Sequence, residues 1–312
     1  MSNGRAATSF SNGDPLLRLT SLQDGRWDGI WFGRNVRAGQ IVITANADQD
    51  ALGLHGSANF TGVLVSNPNV PSVNSGGVTS GVPPSAQVLL APGDLISISG
   101  KDFAAAPSSA TQLPLSTDLG GTQVLLAGVS LPLIYSSASR IVALVPYDLV
   151  PDSQYQVIVN RAGTISGPES VTLATAQPGI LQIDTTESPD VVKNIWTRVI
   201  AGAPIDPGSI APVAPVGAGD KFVIYCTGLG PINQSLDATK PPPSSTVNTV
   251  NPVSVAIGGR NVAVDFAGLV PGYPGVYQVR GTVPSALPIG SNIPVTISSA
   301  GQTSTAIMIS VH

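Results

Sequence analysis

Short runs of apolar residues, broken by turn residues, dominate the hydrophobic pattern of this 312-residue chain. Four such runs in the first 68 residues read as half-buried strands: LLRLTSL, RWDGIWF, QIVITANA and ANFTGVLV. Asp24-Gly25 separates the first two runs, which is the sequence form of a tight hairpin. The stretch from Ser66 to Ser85 has almost no periodicity and is dense in Pro, Gly, Ser and Asn, so we predict a linker or an extended crossover there.

An internal repeat occupies the rest of the chain. Each copy begins with Gly-Asp, at Gly93-Asp94 and Gly219-Asp220, and runs through a short strand into a loop. A hairpin pair, a strand ending in Val-Pro (Val145-Pro146 and Val283-Pro284) and a glycine-turned hairpin follow in each copy. Roughly seven short strands at about 8–12-residue spacing are typical of an immunoglobulin-like (Ig-like) sandwich. The pattern therefore predicts an all-β protein with tandem Ig-like β-sandwich domains.

These patterns divide the chain into four segments. We predict an N-terminal β domain that reads as the closing part of an Ig-like domain, a linker, and two Ig-like domains, at residues 1–68, 69–88, 89–176 and 177–312. ESPDVVKNIWTRVIAG, which begins at Glu187, comes close to the apolar spacing of a helix. Its β-branched residues leave a strand equally open.

The composition supports a folded β protein. Gly and Pro number 34 and 28 while 42% of the residues are hydrophobic, which favours short strands and turns and argues against disorder. Only 10% are charged, and the basic residues are scattered, so a nucleic-acid partner is not expected. No apolar run is long enough to span a membrane, and the first residues lack the apolar core of a signal peptide. We expect either that export information has been removed or that the chain was never exported.

Several stretches together resemble a known family. YCTGLGP, VSVAIGGRNVAVDFAGLVPGYPGVYQVRGTVPSAL and PVTISSAGQTSTAIMISV are similar to the Solibacter-type C-terminal domain, a module at the ends of large secreted acidobacterial proteins. The resemblance covers about residues 85–312, and SFSNGDPLLRLTSLQDGRWDGIW upstream resembles the closing strands of a bacterial Ig-like domain. It implies tandem Ig-like or TIG-like sandwiches, an extracellular or cell-surface location, and no assigned catalytic activity. It supplies no catalytic residues.

Cys226, the single cysteine, rules out an intramolecular disulfide framework and raises the question of a nucleophile. A thiol nucleophile needs a base, and neither histidine, His55 or His312, lies in a stretch typical of a catalytic group. In the first copy of the repeat Gly100 stands opposite Cys226, so the position carries no chemistry common to both copies. The following Thr-Gly-Leu-Gly-Pro also lacks the lysine and the helix of a phosphate-binding loop. We interpret Cys226 as a small residue at a strand end.

Two acidic stretches are candidates for a Ca²⁺ site. Asn46, Asp48 and Asp50 alternate, so a strand would place them on one face and a loop could wrap them around Ca²⁺. A solvated turn is the alternative, and the acidic stretch from Asp184 to Asp190 is open to the same two interpretations. One cysteine and two distant histidines do not make a zinc site.

The aromatic residues are few, so each can be considered separately. Trp27 and Trp31 would share a face of a strand and form either a small carbohydrate platform or a core-facing pair. Tyr273 and Tyr277 are candidates for a packing feature resembling a tyrosine corner.

No catalytic residue and no cofactor other than Ca²⁺ is predicted, and three functions remain open. The first is a non-catalytic extracellular structural or adhesion protein built of Ig-like domains. The second is the subunit of an extracellular filament in which chains add strands to each other's open sheet edges. The third is a carbohydrate-binding accessory module that uses Trp27 and Trp31. The expected partners are accordingly proteins, other copies of this chain, or a glycan.

Overall fold

A computed structural model describes residues 4–14, 16–21, 25–29, 31, 39–49, 52–64, 70–81, 89–186, 188–202, 215–285 and 287–312. The chain divides into two compact units, Met1–Asn69 and Val70–His312. Antiparallel sheets make up most of both units, which confirms the predicted all-β class. No helix of the described residues is long and apolar enough to cross a membrane.

The first unit is built around one antiparallel sheet. Its strands are β1 (Gly4–Phe10), β2 (Leu17–Arg18), β3 (Thr20–Ser21), β4 (Trp27–Asp28), β5 (Gly39–Gln49) and β6 (Leu54–Leu64). The sheet has the order β2-β1-β5-β6, and β3 pairs separately with β4. The hairpin predicted around Asp24-Gly25 is therefore present as the β3–β4 pair, although residues 22–24 lie outside the described part of the chain.

The second unit begins with a sandwich of two sheets. Its strands are β7 (Ser72–Ser80), β8 (Leu89–Leu90), β9 (Leu95–Lys101), β10 (Ser108–Ser109), β11 (Thr122–Leu126), β12 (Val129–Ser130), β13 (Leu133–Ser136), β14 (Arg140–Leu144), β15 (Ser153–Arg161), β16 (Thr164–Ile165) and β17 (Glu169–Leu173). One sheet has the order β10-β13-β14-β9-β7 and the other β12-β11-β15-β17-β8. Alternate residues of both sheets point inward and form a fully buried core that includes Ile96, Ile141, Val124 and Val157.

Strand β7 corrects the linker prediction. Residues 72–80 lie within the stretch that the sequence assigned to a linker, yet they pair with β9 at the edge of the first sandwich. The register shifts between Val73 and Val78, where Gly76 has a positive φ of 66°. This irregularity, together with the scarcity of apolar residues, removes the alternation by which a strand is normally identified.

A second sandwich and one helix complete the unit. The elements are β18 (Gly179–Asp184), α1 (Pro189–Ile200), β19 (Lys221–Thr227), β20 (Val253–Ile257), β21 (Arg260–Val262), β22 (Val264–Leu269), β23 (Tyr277–Thr282), β24 (Gly290–Ser299), β25 (Gln302–Thr303) and β26 (Ile307–Val311). One sheet has the order β18-β19-β23-β22, the other β21-β20-β24-β25, and β26 pairs with β24.

Helix α1 resolves the helix-or-strand ambiguity of residues 187–202. Ser188 caps its first turn by accepting a hydrogen bond from the Asp190 amide, and Pro189 occupies a position where its missing N–H costs nothing. Its apolar face buries Val192, Ile195 and Val199. Spacings of three and four residues place these side chains on one stripe, so burial of that stripe outweighs the β-branched composition.

The repeat predicted from the sequence is present in backbone hydrogen bonding. The Val145 amide donates to the Asp94 carbonyl at 2.9 Å, and the Val283 amide donates to the Asp220 carbonyl at the same distance. Ser166 and Ser304 are also equivalent in the closing hairpins. Each hydroxyl accepts a hydrogen bond from the backbone amide of the strand residue 7 positions earlier. The two copies therefore fold alike.

Candidate functional site

The first unit contains a cavity of about 830 Å³ lined by aromatic and polar side chains. The register of β1, β5 and β6 places Arg5, Asp48 and His55 side by side, with Asn46 one step further along the same face of β5. Trp27 also lines the cavity, and its ring lies close to the backbone of Gly4. The volume falls in the range of small-ligand sites, and the mixture of an aromatic ring with hydrogen-bonding groups suits a hydroxyl-rich ligand.

Trp31 has a different environment from Trp27. Its ring stacks on Phe10 with centroids 4.4 Å apart, and its indole N–H donates to Asp14 at 2.9 Å. Trp27 instead lies against Gly4, at the other end of β1. At about 3.3 Å per residue the two rings are separated by roughly 20 Å along the strand. The structure therefore does not bring them together as one compact platform, and Trp31 is used in packing.

The Ca²⁺ candidates are only partly described. Asn46 and Asp48 lie on the same face of β5, as expected, while Asp50 is outside the described residues. The carboxylate of Asp48 is 2.8 Å from Nδ1 of His55 on β6; the His55 side chain is exposed and that of Asp48 is partly exposed. Across the described ranges, no three His, Cys, Asp or Glu side chains come close enough together to hold a metal ion.

Asp184 and Asp190 of the other acidic stretch serve the entry into α1. The Asp184 carboxylate is buried and accepts hydrogen bonds from Thr186 and from the Ser188 amide. Asp190 lies in the first turn of the helix, where a negative charge interacts favourably with the helix dipole.

Cys226 is fully buried on β19, directly beside Tyr277 of β23. Burial raises the pKa of its thiol, so the reactive thiolate is disfavoured. The glycines that follow allow a close approach of two backbone segments, because a Cβ at Gly228 would collide with the Gln177 carbonyl oxygen and one at Gly230 with that of Thr175. Both glycines have positive φ angles. The loop is thus shaped to receive the chain that leaves the first sandwich.

That loop belongs to the contact between the two sandwiches, which we call the joint. Asp94 at the end of the first sandwich is fully buried there, and its Oδ1 accepts hydrogen bonds from Ser80 at 3.1 Å and from Thr227 of the second sandwich at 3.2 Å. The Thr227 hydroxyl also accepts from the Leu95 amide at 2.9 Å. A buried polar cluster therefore ties the two sandwiches together.

Two buried tyrosines and the helix extend the joint. The Tyr147 hydroxyl of the first sandwich accepts from the Gly275 amide of the second at 3.0 Å. The Tyr277 hydroxyl donates to the Gly230 carbonyl, 47 residues earlier, so its contact is not the short-range one of a tyrosine corner. Tyr273 packs edge-on against Trp196 of α1. These contacts surround a hydrophobic core shared by both sandwiches.

The amino-acid sequence alone does not reveal the contacts that Asp94 and Tyr147 make in the joint. The recurrence of Gly-Asp at Gly93-Asp94 and Gly219-Asp220 draws attention to these two aspartates. Their carboxylates, however, differ in environment. Asp220 is exposed and accepts from the Gly217 amide at 2.7 Å, whereas Asp94 is covered by the neighbouring sandwich. Only the packing of one copy against the other distinguishes them.

Comparisons with known proteins give only distant structural likenesses. No family model matches the chain, and no curated protein matches it. A Bacteroides ovatus mixed-linkage glucan utilization protein, SGBP-B, solved with a heptasaccharide, has 12% identity over 98% of this chain and 61% of its own, with a TM-score of 0.33. The surface glycan-binding protein PbSGBP-B of Prevotella bryantii has 10% identity over 76% and 41% of the two chains, with a TM-score of 0.23.

Drosophila N-cadherin EC1-4 has 11% identity over 99% of this chain and 67% of its own, with a TM-score of 0.20. The chain spans less than two thirds of the first two of these proteins. Likeness at this level carries no argument about the fold or the function of this chain.

Proposed function

We propose that this chain is a non-catalytic structural or adhesion protein of the cell exterior, in which the two sandwiches of the second unit act as a rigid spacer. The observation that carries the proposal is the continuous hydrophobic core across the joint. It combines Leu95, Leu144 and Tyr147 of the first sandwich with Leu229 and Tyr277 of the second. A core of this kind resists bending because any hinge motion exposes apolar surface to water.

The helix adds to the rigidity of the joint. Its buried residues pack in the same core as Ile134 and Val142 of the first sandwich and Ile183 of the second. Arg140 of the first sandwich also donates through Nη1 to the Gly202 carbonyl, just after the helix, at 2.6 Å. A spacer needs a fixed angle between its modules, and this helix is held by both of them.

The chemistry of the chain supports a non-catalytic role outside the cell. The single thiol is buried with a raised pKa, and charged residues make up only 10% of the sequence. The resemblance to a module of secreted bacterial proteins points the same way. Antibody labelling of intact cells, compared with permeabilised cells, tests the location directly, and labelling only after permeabilisation would exclude it.

Distance measurements between spin labels test the rigid spacer. Cys226 is fully buried, so cysteines introduced at exposed Val129 of the first sandwich and exposed Met308 of the second can be labelled selectively in the full chain. We expect one narrow distance distribution. A Val129→Cys, Val150→Cys pair within the first sandwich is the matched control for the intrinsic width of the labels. A distribution clearly broader than this control would contradict the proposal.

A second candidate function is carbohydrate binding in the first unit, favoured by the cavity beside Trp27. An indole face can cover the apolar side of a sugar ring, while Asn46, Asp48 and His55 offer hydrogen-bonding groups to its hydroxyls. The site proposed for this function consists of Trp27 and the polar face of β5 and β6, and it does not include Trp31.

Glycan-array binding followed by calorimetry tests this candidate. In the full chain, Trp27→Ala is expected to weaken binding about tenfold, which corresponds to the loss of a stacked aromatic contact. Trp31→Phe is the control, because it keeps a ring on Phe10 and is distant from the cavity. Equal affinity of both variants and the original chain, or no glycan bound at all, would remove the candidate.

A further inference from the structure

Strand β6 is an open edge of the sheet in the first unit. It pairs with β5 on one side along its full length, and no strand of the described residues pairs with its other side. Its residues from Leu54 to Thr61 are exposed, and Phe60 and Val63 keep 58% and 72% of their surface accessible. An exposed strand of this kind presents a row of unpaired N–H and C=O groups to another chain.

The other edge strands of the described sheets are protected. Nine of them are only two or three residues long: β2, β3, β4, β8, β10, β12, β16, β21 and β25. The longer edges β7, β18, β22 and β26 each have a shift in register that disrupts regular pairing. By contrast β6 is long, has no register shift and contains no Lys, Arg, Asp, Glu or Pro. The usual devices against edge-to-edge pairing are therefore absent from this strand.

We propose that β6 is a dimerisation surface whose occupant is β6 of a second copy of this chain, paired antiparallel. Two neighbouring antiparallel strands with the same sequence are related by a two-fold axis perpendicular to the sheet, so opposed residues must point to the same face. The register with full overlap of Leu54–Leu64 is then centred on Asn59. It supplies about ten backbone hydrogen bonds and continues both four-stranded sheets into one.

The side chains of β6 complement themselves in this register. Asn59 faces Asn59 of the second copy, and each amide offers both a donor and an acceptor to the other. Ser57 faces Thr61 on the same side, which is a favourable polar pair. On the other side Phe60 faces Ala58 of the second copy, so each aromatic ring covers a small residue. With no charged residue in the strand, no like charges oppose each other.

This pairing is an alternative to a filament built by strand addition. A two-fold contact uses the same surface on both copies and is therefore closed, so it yields a dimer. A filament requires two different surfaces that join head to tail. The β6 dimer concerns the first unit, whereas the rigid spacer concerns the second. Separate measurements therefore test the two proposals.

Sedimentation and disulfide trapping of the full chain test the proposal. We expect a concentration-dependent monomer–dimer equilibrium, with dissociation favoured about tenfold by Asn59→Lys, which places two positive charges opposite each other. Ser254→Lys adds the same charge at an exposed strand position in the second unit and is expected to leave the equilibrium unchanged. Circular dichroism of both variants verifies that the sheets remain folded.

Trapping then tests the register. Asn59→Cys places two sulfurs across the two-fold axis within disulfide reach, so mild oxidation is expected to give a covalent dimer. Leu54→Cys is the matched control, because the two copies of residue 54 are then about 34 Å apart. Cys226 is buried and does not interfere. A monomer at all concentrations, filaments in electron micrographs, or trapping by Leu54→Cys would each overturn the proposal.

Discussion

Asp94 is an ionisable residue that is fully buried in the joint. Its Oδ1 accepts two hydroxyl hydrogen bonds, but its Oδ2 is buried without a hydrogen-bond partner among the described residues. Burial raises the pKa of this carboxyl well above its usual value, and the hydrogen bonds from Ser80 and Thr227 lower it only in part. The joint therefore contains an acid that favours its neutral form.

Replacing Asp94 with Asn is expected to stabilise the protein at neutral pH. In the unfolded chain the carboxyl loses its proton near its usual pKa of 3.8, whereas the folded chain retains it to higher pH. Between these two values the folded state binds more protons, so the free energy of unfolding falls as pH rises. Asn keeps the acceptor toward Thr227 and removes the charge, so we expect the free energy of unfolding of Asp94→Asn to exceed that of the parent at pH 7.

Denaturant unfolding of both proteins from pH 3 to pH 8 measures this effect. The two free energies should approach each other below the usual pKa of a carboxyl and separate as the pH rises. Asp220→Asn changes the twin residue of the repeat, which is exposed, and serves as the control. A loss of stability in Asp94→Asn at pH 7 would show that the charged form is the one the joint requires.

The stretch from Ile224 to Pro231 shows what a sequence can indicate about single residues. The absence of a matching cysteine in the first copy of the repeat was enough to interpret Cys226 as structural, in keeping with its complete burial. The reason for Gly228 and Gly230 was not accessible, because the carbonyls that approach them belong to Gln177 and Thr175, some 50 residues earlier. Contacts between residues so far apart in the chain cannot be predicted from the residues around each glycine.

At the scale of elements, α1 depends on its first turn. Its apolar stripe fills the joint, but a helix of 12 residues has little stability of its own. Ser188→Ala removes the hydroxyl that accepts from the Asp190 amide and is expected to cost about 1 kcal/mol. Fluorescence of Trp196, on the helix, reports the transition once Trp27 and Trp31 are replaced by Phe. Ser188→Asp retains an acceptor, so its stability should stay close to that of the parent.

Strands β6 and β7 illustrate the limits of alternation as a signal. Apolar residues in ANFTGVLV correctly marked a strand over the second half of β6, which extends back to Leu54 through LHGS. The sequence predicts a linker where β7 lies, because SVNSGGVTS has few apolar residues. The pairing of β7 is imposed by β9, which is strongly apolar. A single sequence does not reveal an edge strand whose conformation is imposed by pairing with a neighbouring strand.

At the scale of the whole molecule, the repeat made the second unit predictable as two sandwiches. The joint was not predictable, because it arises from residues that differ between the copies: Tyr147 stands where the second copy has Ser285, and Leu95 where it has Lys221. In each of these pairs the second copy has an exposed polar residue, and the first copy has a buried residue that belongs to the joint. The divergence of the two copies, rather than their likeness, therefore carries the information about how they pack.

A shared core predicts that the two sandwiches unfold together. Leu126→Ala removes a fully buried side chain from the core of the first sandwich and should destabilise it by about 2–5 kcal/mol. Unfolding of that sandwich would expose the joint. The free energy of opening measured for the slowest amide hydrogens should therefore fall by the same amount in β24 of the second sandwich as in β15 of the first. Val129→Ala, at an exposed position, is expected to alter neither strand. Faster exchange confined to β15 would mean that each sandwich is a separate cooperative unit, and the rigidity of the joint would then need another source.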